Sequence, residues 1–419
     1  MSDTTLKIFD GINNRRLPSD LSYVDRERRS RAFVRDATNV DLTAAGTFAR
    51  RPGYQQVLAL NGCRSLWSDG KSMYFAAAAQ LFRYDGTNPP EPVAALSSPF
   101  AEVSFTTTPL GIVWSDGYQL QLMTPGGQQG VNIPPPNPTP GIGISPGGTL
   151  EATTYLVAFV RMRGEQQSAM TLPQAVTTRL GDRLVITSPP QADDILVLAT
   201  PQGGGTFHEV GVLRAGEVSL GISTVGRADY LFGGAAPRAF GKYAPMPPGS
   251  IVRLHRGRLL VADGAYVYCS MPYQYGLTDP LRGFVAFDGD VTMLEPADEG
   301  VFVATAEKTW FASGGDFTDP QAFTNVLPFG AVRGTASHDL TTNNVRWFSP
   351  RGLVEGSPEG RTRLLQDDNL VFGRASGGAA VLREQSGHRT VVTALRATAP
   401  PGSAVSSSFM DAEVFDPAP

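Results

Sequence analysis

Twice in its first third the chain runs from an apolar step through Trp-Ser-Asp-Gly into a second apolar run, as "SLWSDGKSMYFAA" and "GIVWSDGYQLQLM". The two tryptophans, Trp67 and Trp114, are 47 residues apart. Asp-Gly supplies the positive φ that a tight hairpin needs, so each stretch reads as strand, turn, strand. The same unit returns in "GRLLVADGAYVYCS" from Gly257, "VFVATAEKTWFASG" from Val301 and "NNVRWFSPRGLVEGS" from Asn343, with turns about 42 to 47 residues apart. Four-stranded repeats of about 40 to 50 residues are the mark of propeller blades. Large aromatics recurring at strand positions are core signals before they are sites, which makes Trp67, Trp114, Trp310 and Trp347 blade-packing anchors.

The 46 glycines and 33 prolines belong to a chain that turns often, while an apolar share of 41% is enough to fold it. Long helical patterns are almost absent. The expected class is all-β, a β-propeller of about five or six blades interrupted by an immunoglobulin- or fibronectin III-like β-sandwich. Two proline-rich connectors, "IPPPNPTP" at 133–140 and "YAPMPPGS" at 243–250, bound that insert. Between them alternating strands span about 100 residues, the size and rhythm of such a sandwich. The expected organisation is an N-terminal arm leading into the first blade at 1–55, a first propeller part at 56–135, the sandwich at 141–235, a second propeller part at 249–395 and a flexible or partner-ordered tail at 396–419.

A net charge of −4 is too mild for a dedicated nucleic-acid binder. The first sixty residues hold ten Lys or Arg against seven Asp or Glu, so what basic character there is lies in the arm. Arg15, Arg16, Arg26, Arg28, Arg29 and Arg31 are candidates for docking to a neighbouring subunit, because Arg pairs bidentately with carboxylates at interfaces. A solvated charge run is the equal alternative. Two cysteines far apart, Cys63 and Cys269, exclude a disulfide framework and are expected to be buried. No stretch approaches the roughly 18 apolar residues of a membrane span, and the N-terminus lacks the apolar core of a signal peptide.

Catalytic patterns fail on mechanism. "GISPG" at 143–147 matches a hydrolase nucleophile elbow, but the residue after Ser145 is Pro146, which has no N–H for an oxyanion hole. His208, His255, His338 and His388 have no ligand spacing, "FDGD" at 287–290 lacks the rest of an EF-hand, and no glycine-rich loop ends in Gly-Lys-Ser/Thr. No catalytic residue, metal site or cofactor is expected. A glycosidase pair made in space among Asp298, Glu299, Asp367 and Asp368 stays open as a minor alternative.

Two stretches carry a family likeness. "FDGINNRRLP" followed by "ATNVDLTAAGTFARRPGY" resembles the opening of structural proteins of tailed bacteriophages. The run from "RLHRGRLLVADGAYVYCSMPYQYGLTDP" through "VTMLEPADEGVFVATAEKTWFASG" to "GAVRGTASHDL" and "VRWFSPRGL" is similar to the centre of the tail-nozzle and packaged-DNA-stabilisation hub proteins of short-tailed phages. The likeness covers about half the chain and lies in the order of motifs.

The resemblance implies a virion protein: a homo-oligomeric, hexameric ring below the portal and adaptor that continues the DNA conduit and retains the genome until ejection. Its implied partners are the adaptor or portal ring, tail fibre or tail spike proteins, and genomic DNA in transit. It also implies assembly in the bacterial cytoplasm and residence in the virion tail. A mildly negative channel would suit DNA that has to slide. The competing reading is a phage adhesin or carbohydrate-binding propeller, which requires exposed aromatic rings on the sandwich.

Overall fold

The computed structural model describes the chain outside residues 1–8, 14–15, 26, 36–39, 43–46, 51–55, 61, 201–203, 226–238, 241–242, 340, 366–374, 386–387, 398–409 and 417–419. The described residues form an all-β structure of antiparallel sheets, with 3-10 turns at Pro18–Asp20 and Pro320–Ala322 and no α-helix. Among them no helix is long and apolar enough to cross a membrane. The chain separates into two compact units, one of Gly62–Ala286 and one of Met1–Asn61 with Phe287–Pro419.

The unit of Gly62–Ala286 is built on three meanders. The first is Arg64–Ser68, Met73–Ala77, Gln80–Tyr84 and Glu91–Ala95; the second is Ser104–Thr108, Gly111–Ser115, Leu120–Thr124 and Gly127–Gly130. The third is Ile251–His255, Arg258–Asp263, Tyr266–Met271 and Gln274–Thr278, with Ala244–Pro245 added at its outer edge. Strand alternation lets the second meander bury both faces. Trp114 turns to one side, into a core with Tyr74, Leu81 and Phe105 of the first meander and its neighbour. Val113 turns to the other and joins Leu122, Val252, Val261 and Tyr275.

Hydroxyls close the seam between the second and third meanders. Ser104 Oγ accepts from Val252 N at 3.0 Å and Thr106 Oγ1 from Leu254 N at 3.1 Å, so donors on the open edge of Ile251–His255 are satisfied. Ser115 Oγ donates to Gly249 O at 2.7 Å.

The Trp-Ser-Asp-Gly hairpins form as the sequence indicates, and they are the same turn made twice. Asp69 Oδ1 accepts from the amides of Lys71 and Ser72, and Asp116 Oδ1 from those of Tyr118 and Gln119. Gly70 and Gly117 take φ of 84° and 89°, which a side chain would strain. Their places in the sheets differ. The first turn joins strands one and two of its meander, whereas the second joins strands two and three, as do the hairpins from Gly257, Val301 and Asn343. The 47-residue spacing therefore does not superpose equivalent strands: the counterpart of Gly111–Ser115 in the first meander is Met73–Ala77.

The described residues between 141 and 240 form two antiparallel sheets that share one core. Gly141–Leu150, Asp182–Thr187 and Ser219–Ile222 make the smaller sheet. Thr154–Arg163, Asp194–Ala199 and Phe207–Leu213 carry the larger, with Gln174–Thr177 also paired to Thr154–Arg163. Leu184, Ile186 and Ile222 of the first meet Tyr155, Phe159 and Val197 of the second. "GISPG" lies within Gly141–Leu150 and not in a linker, where a bulge after Pro146 absorbs the extra residues.

The other unit holds two further meanders. One is Met293–Ala297, Gly300–Ala304, Thr309–Ser313 and Phe323–Leu327; the next is Ser337–His338, Val345–Ser349, Gly352–Gly356 and Thr362–Leu364. A three-stranded sheet of Ala375–Gln385, His388–Ala397 and Met410–Asp416 follows. Phe302 and Phe311 pack on Trp347 and Val354, while Phe348 and Leu353 face Val391 and Leu395. Gly356 is required by closeness, since a Cβ there would meet the Phe302 ring at 2.6 Å and Trp347 at 2.9 Å. Cys269 is buried as expected, and Cys63 is exposed, contrary to expectation, because it precedes the first strand of its meander.

Candidate interaction surfaces

The N-terminal arginines belong to a hairpin, Ser22–Val24 against Ser30–Ala32. Asp25 organises its turn, accepting from the amides of Glu27 and Arg29 and from Nε of both Arg29 and Arg31. Arg31 Nη1 also donates to Asp10 at 2.7 Å, and Asp10 Oδ2 accepts from Ala32 N. These bonds, the Arg29 amide first, hold the Asp25 carboxyl below the usual range, and the Asp10 bond raises Arg31. Arg16 lies 3.9 Å over the Tyr23 ring, which stacks on Phe33. Arg28 is exposed at the turn with φ 60°. Arg15 and Arg26 lie outside the described residues. Arg16, Arg29 and Arg31 thus have partners within the chain itself.

Of the tryptophans, Trp114 and Trp347 are fully buried and Trp67 and Trp310 partly so. Trp67 stacks on Phe105 at 5.3 Å, and Trp310 meets Phe287 at 5.1 Å. Trp67 lies on an edge strand of its sheet, with a neighbouring strand on one side only, which explains its lesser burial.

A feature that no sequence pattern signalled joins the two-sheet insert to the meanders. The hairpin of Thr154–Arg163 and Gln166–Gln167 reaches the third meander as a finger. There Gln166 Nε2 donates to Tyr273 O at 2.6 Å and its Oε1 accepts from Tyr275 N at 3.2 Å. Gln274 answers, donating to Glu165 O at 2.5 Å and accepting from Gln167 N at 3.0 Å. Two primary amides thereby satisfy four backbone groups, two on each side. Beside the turn of the finger Arg163 bridges Gln129 and Asp193.

Beneath the finger lies a cleft of about 180 Å³, lined by Leu110, Val113, Leu122, Val131, Ile133 and Tyr275, with Thr124, Gln129, Arg163 and Gln166 also on its wall. A second apolar feature projects outward. The link from the first to the second meander is pinned by Ser97 N on Asp116 Oδ2, by Val103 N on Ser65 Oγ and by Arg64 Nε on Ala101 O, and from it Phe100 stands 86% exposed. Tyr118 is 76% exposed in the turn that Asp116 organises.

Several of the described chemistry-bearing residues are engaged by basic or amide partners at separate places. Ser145 Oγ accepts from Arg183 Nε, Asp298 accepts from Asn343 Nδ2, and Asp288 pairs with Lys308. Asp367 and Asp368 lie outside the described residues. Among the described residues no group of three or more His, Cys, Asp or Glu could hold a metal. Burial, and then the charge of Arg256, push His255 down to about 4, which makes it a neutral packing group at neutral pH. One charge cluster stands out in the fifth meander, where the buried Arg346 Nε donates to the buried Glu355 Oε2 at 2.8 Å and the more exposed Arg363 Nε to Glu355 Oε1 at 2.9 Å. The three residues sit side by side across three strands, so the cluster follows from register.

No family model matches the sequence, and no curated protein matches it. Solved structures with some likeness include BBS1N in complex with ARL6DN, 9% identical over 86% of this chain and 94% of that one, with a TM-score of 0.32. Hsv2 of Kluyveromyces lactis is 10% identical over 78% and 87%, with a TM-score of 0.28. An ancestral GH74 enzyme is 10% identical over 84% and 71%, with a TM-score of 0.24. Likenesses this slight transfer neither activity nor partners.

Proposed function

We propose that the chain is a structural protein of a tailed phage, a ring subunit of the tail nozzle or hub that continues the DNA conduit and retains packaged DNA. The five four-stranded meanders and the three-stranded sheet of Ala375–Gln385, His388–Ala397 and Met410–Asp416 are read as the blades of a β-propeller. The insert is read as an immunoglobulin- or fibronectin III-like module. Its pairing of Gly141–Leu150 with Asp182–Thr187, and of Thr154–Arg163 with Asp194–Ala199 and then Phe207–Leu213, matches the B–E and C–F–G pairing of that fold.

The observation that carries the reading is where the phage-like motifs fall. The stretch from 253 to 353 that resembles nozzle and hub proteins supplies the strands of three successive meanders. In the first of these the finger bonds the insert to the sheet through both glutamines. A module held at four backbone groups suits a part that bears load. The adhesin alternative is weakened by the insert itself, where Tyr155, Phe159 and Phe207 are buried in its cores.

A nonsense mutation in the gene tests this. Particles assembled without the protein are expected to package DNA and then lose it, so that nuclease degrades the genome. Particles that keep their DNA and fail only to adsorb to cells would replace the conduit with the adhesin.

A further inference from the structure

We propose that the insert is a pivoting module and the finger its latch, seated on the third meander and released as a unit. The cores set the terms. Leu150, Tyr155, Phe159, Leu184 and Ile222 pack together, as do Ala158, Leu198 and Phe207, and every member of these two clusters belongs to the insert. The cluster that joins the second and third meanders, around Val113, Leu122, Val252 and Val261, has no member from the insert. Bodies whose cores do not run together turn relative to one another unless a large apolar interface holds them.

The hold at the finger is polar. The bonds from Gln166 Nε2 to Tyr273 O, from Gln274 Nε2 to Glu165 O and from Arg163 Nη1 to Gln129 Oε1 lie at the surface, where water competes for each partner. Beneath them the cleft of about 180 Å³ is open, and a gap under a contact forfeits the dispersion attraction that packing would give. Exposed hydrogen bonds over few apolar contacts mark a region that opens readily. The clamp is also reciprocal. Each glutamine binds the backbone on the opposite side, so separation breaks all four amide bonds together and the latch is either seated or free.

The connectors supply the pivots. On the way out Ile133 is buried and Asn132 Nδ2 donates to Met246 O, which ties the outgoing chain to the returning one. Asn137, Pro138 and Thr139 are then exposed before the first strand of the insert starts at Gly141. On the return Ala244–Pro245 pairs with Gln274–Thr278 and Met246 is fully buried, so the chain is fastened again from Ala244 onward. Proline-rich segments are stiff, which confines turning to the short stretches between these anchors.

Pulsed electron paramagnetic resonance on the full chain tests this. The exposed Cys63 is replaced by Ser, while Cys269 is buried and escapes labelling. Spin labels go to two exposed positions, Leu172→Cys in the insert and Leu281→Cys in the turn that follows the third meander. Gln166→Ala with Gln274→Ala is expected to raise the ratio of longer to seated distances roughly tenfold or more. A second pair, Leu172→Cys with Val218→Cys, reads the insert alone and should keep its distance distribution. An insert-to-meander distance unchanged in the double variant would overturn the proposal, since other contacts would then hold the insert. Broadening of the pair within the insert would overturn it as well, because the insert would be loosening instead of turning as a body.

Discussion

Single residues show how differently the same chemistry is valued by place. Asp69 and Asp116 make the same turn, but Asp116 is buried and also accepts from Ser97 N and Gln119 Nε2. Burial pushes its carboxyl up, and the bonds from Ser97, Gln119 and Tyr118 outweigh that and hold it below the usual range. Asp116→Ala should therefore cost about 2 kcal/mol and Asp69→Ala about 1 kcal/mol in urea unfolding. Glu355 stands between two arginines, and Glu355→Ala would leave the buried Arg346 without its closest carboxylate, an expected loss of about 3 to 5 kcal/mol by the same measurement.

His255 sets a pH dependence. Its folded pKa of about 4 lies below the unfolded value near 6.5, so the unfolded chain binds the extra proton between those limits. Stability should be full above about pH 6.5 and fall as pH drops toward 4, and His255→Leu should remove that part of the slope. Melting temperature against pH for the two proteins reads it directly.

At the scale of elements, the hairpins were legible because Asp-Gly and alternating apolar residues act locally. Their place in each sheet was not, since the Trp-Ser-Asp-Gly turn fits equally between strands one and two or two and three. The finger was illegible for a different reason: Gln166 and Gln274 are ordinary polar residues until the fold brings partners more than 100 positions away to them. Likewise Arg29 and Arg31 read as a basic arm, and only the hairpin register shows Asp25 and Asp10 engaging them. Gln166→Ala with Gln274→Ala should release the finger. Faster hydrogen exchange at residues 163–167 and 273–275 is expected, with the strands of the second meander unaffected. Uniform acceleration across all three meanders would show that the finger supports their packing instead of tethering the insert.

At the scale of the molecule, the all-β class follows from composition and turn chemistry, and stacking follows from strands with two buried faces, as Val113 and Trp114 show by pointing into different cores. Antibody-gold electron microscopy of phage particles tests the proposed role most directly. Gold on the axial tail below the portal is the predicted result; gold confined to peripheral fibres, or absent from particles, would contradict it.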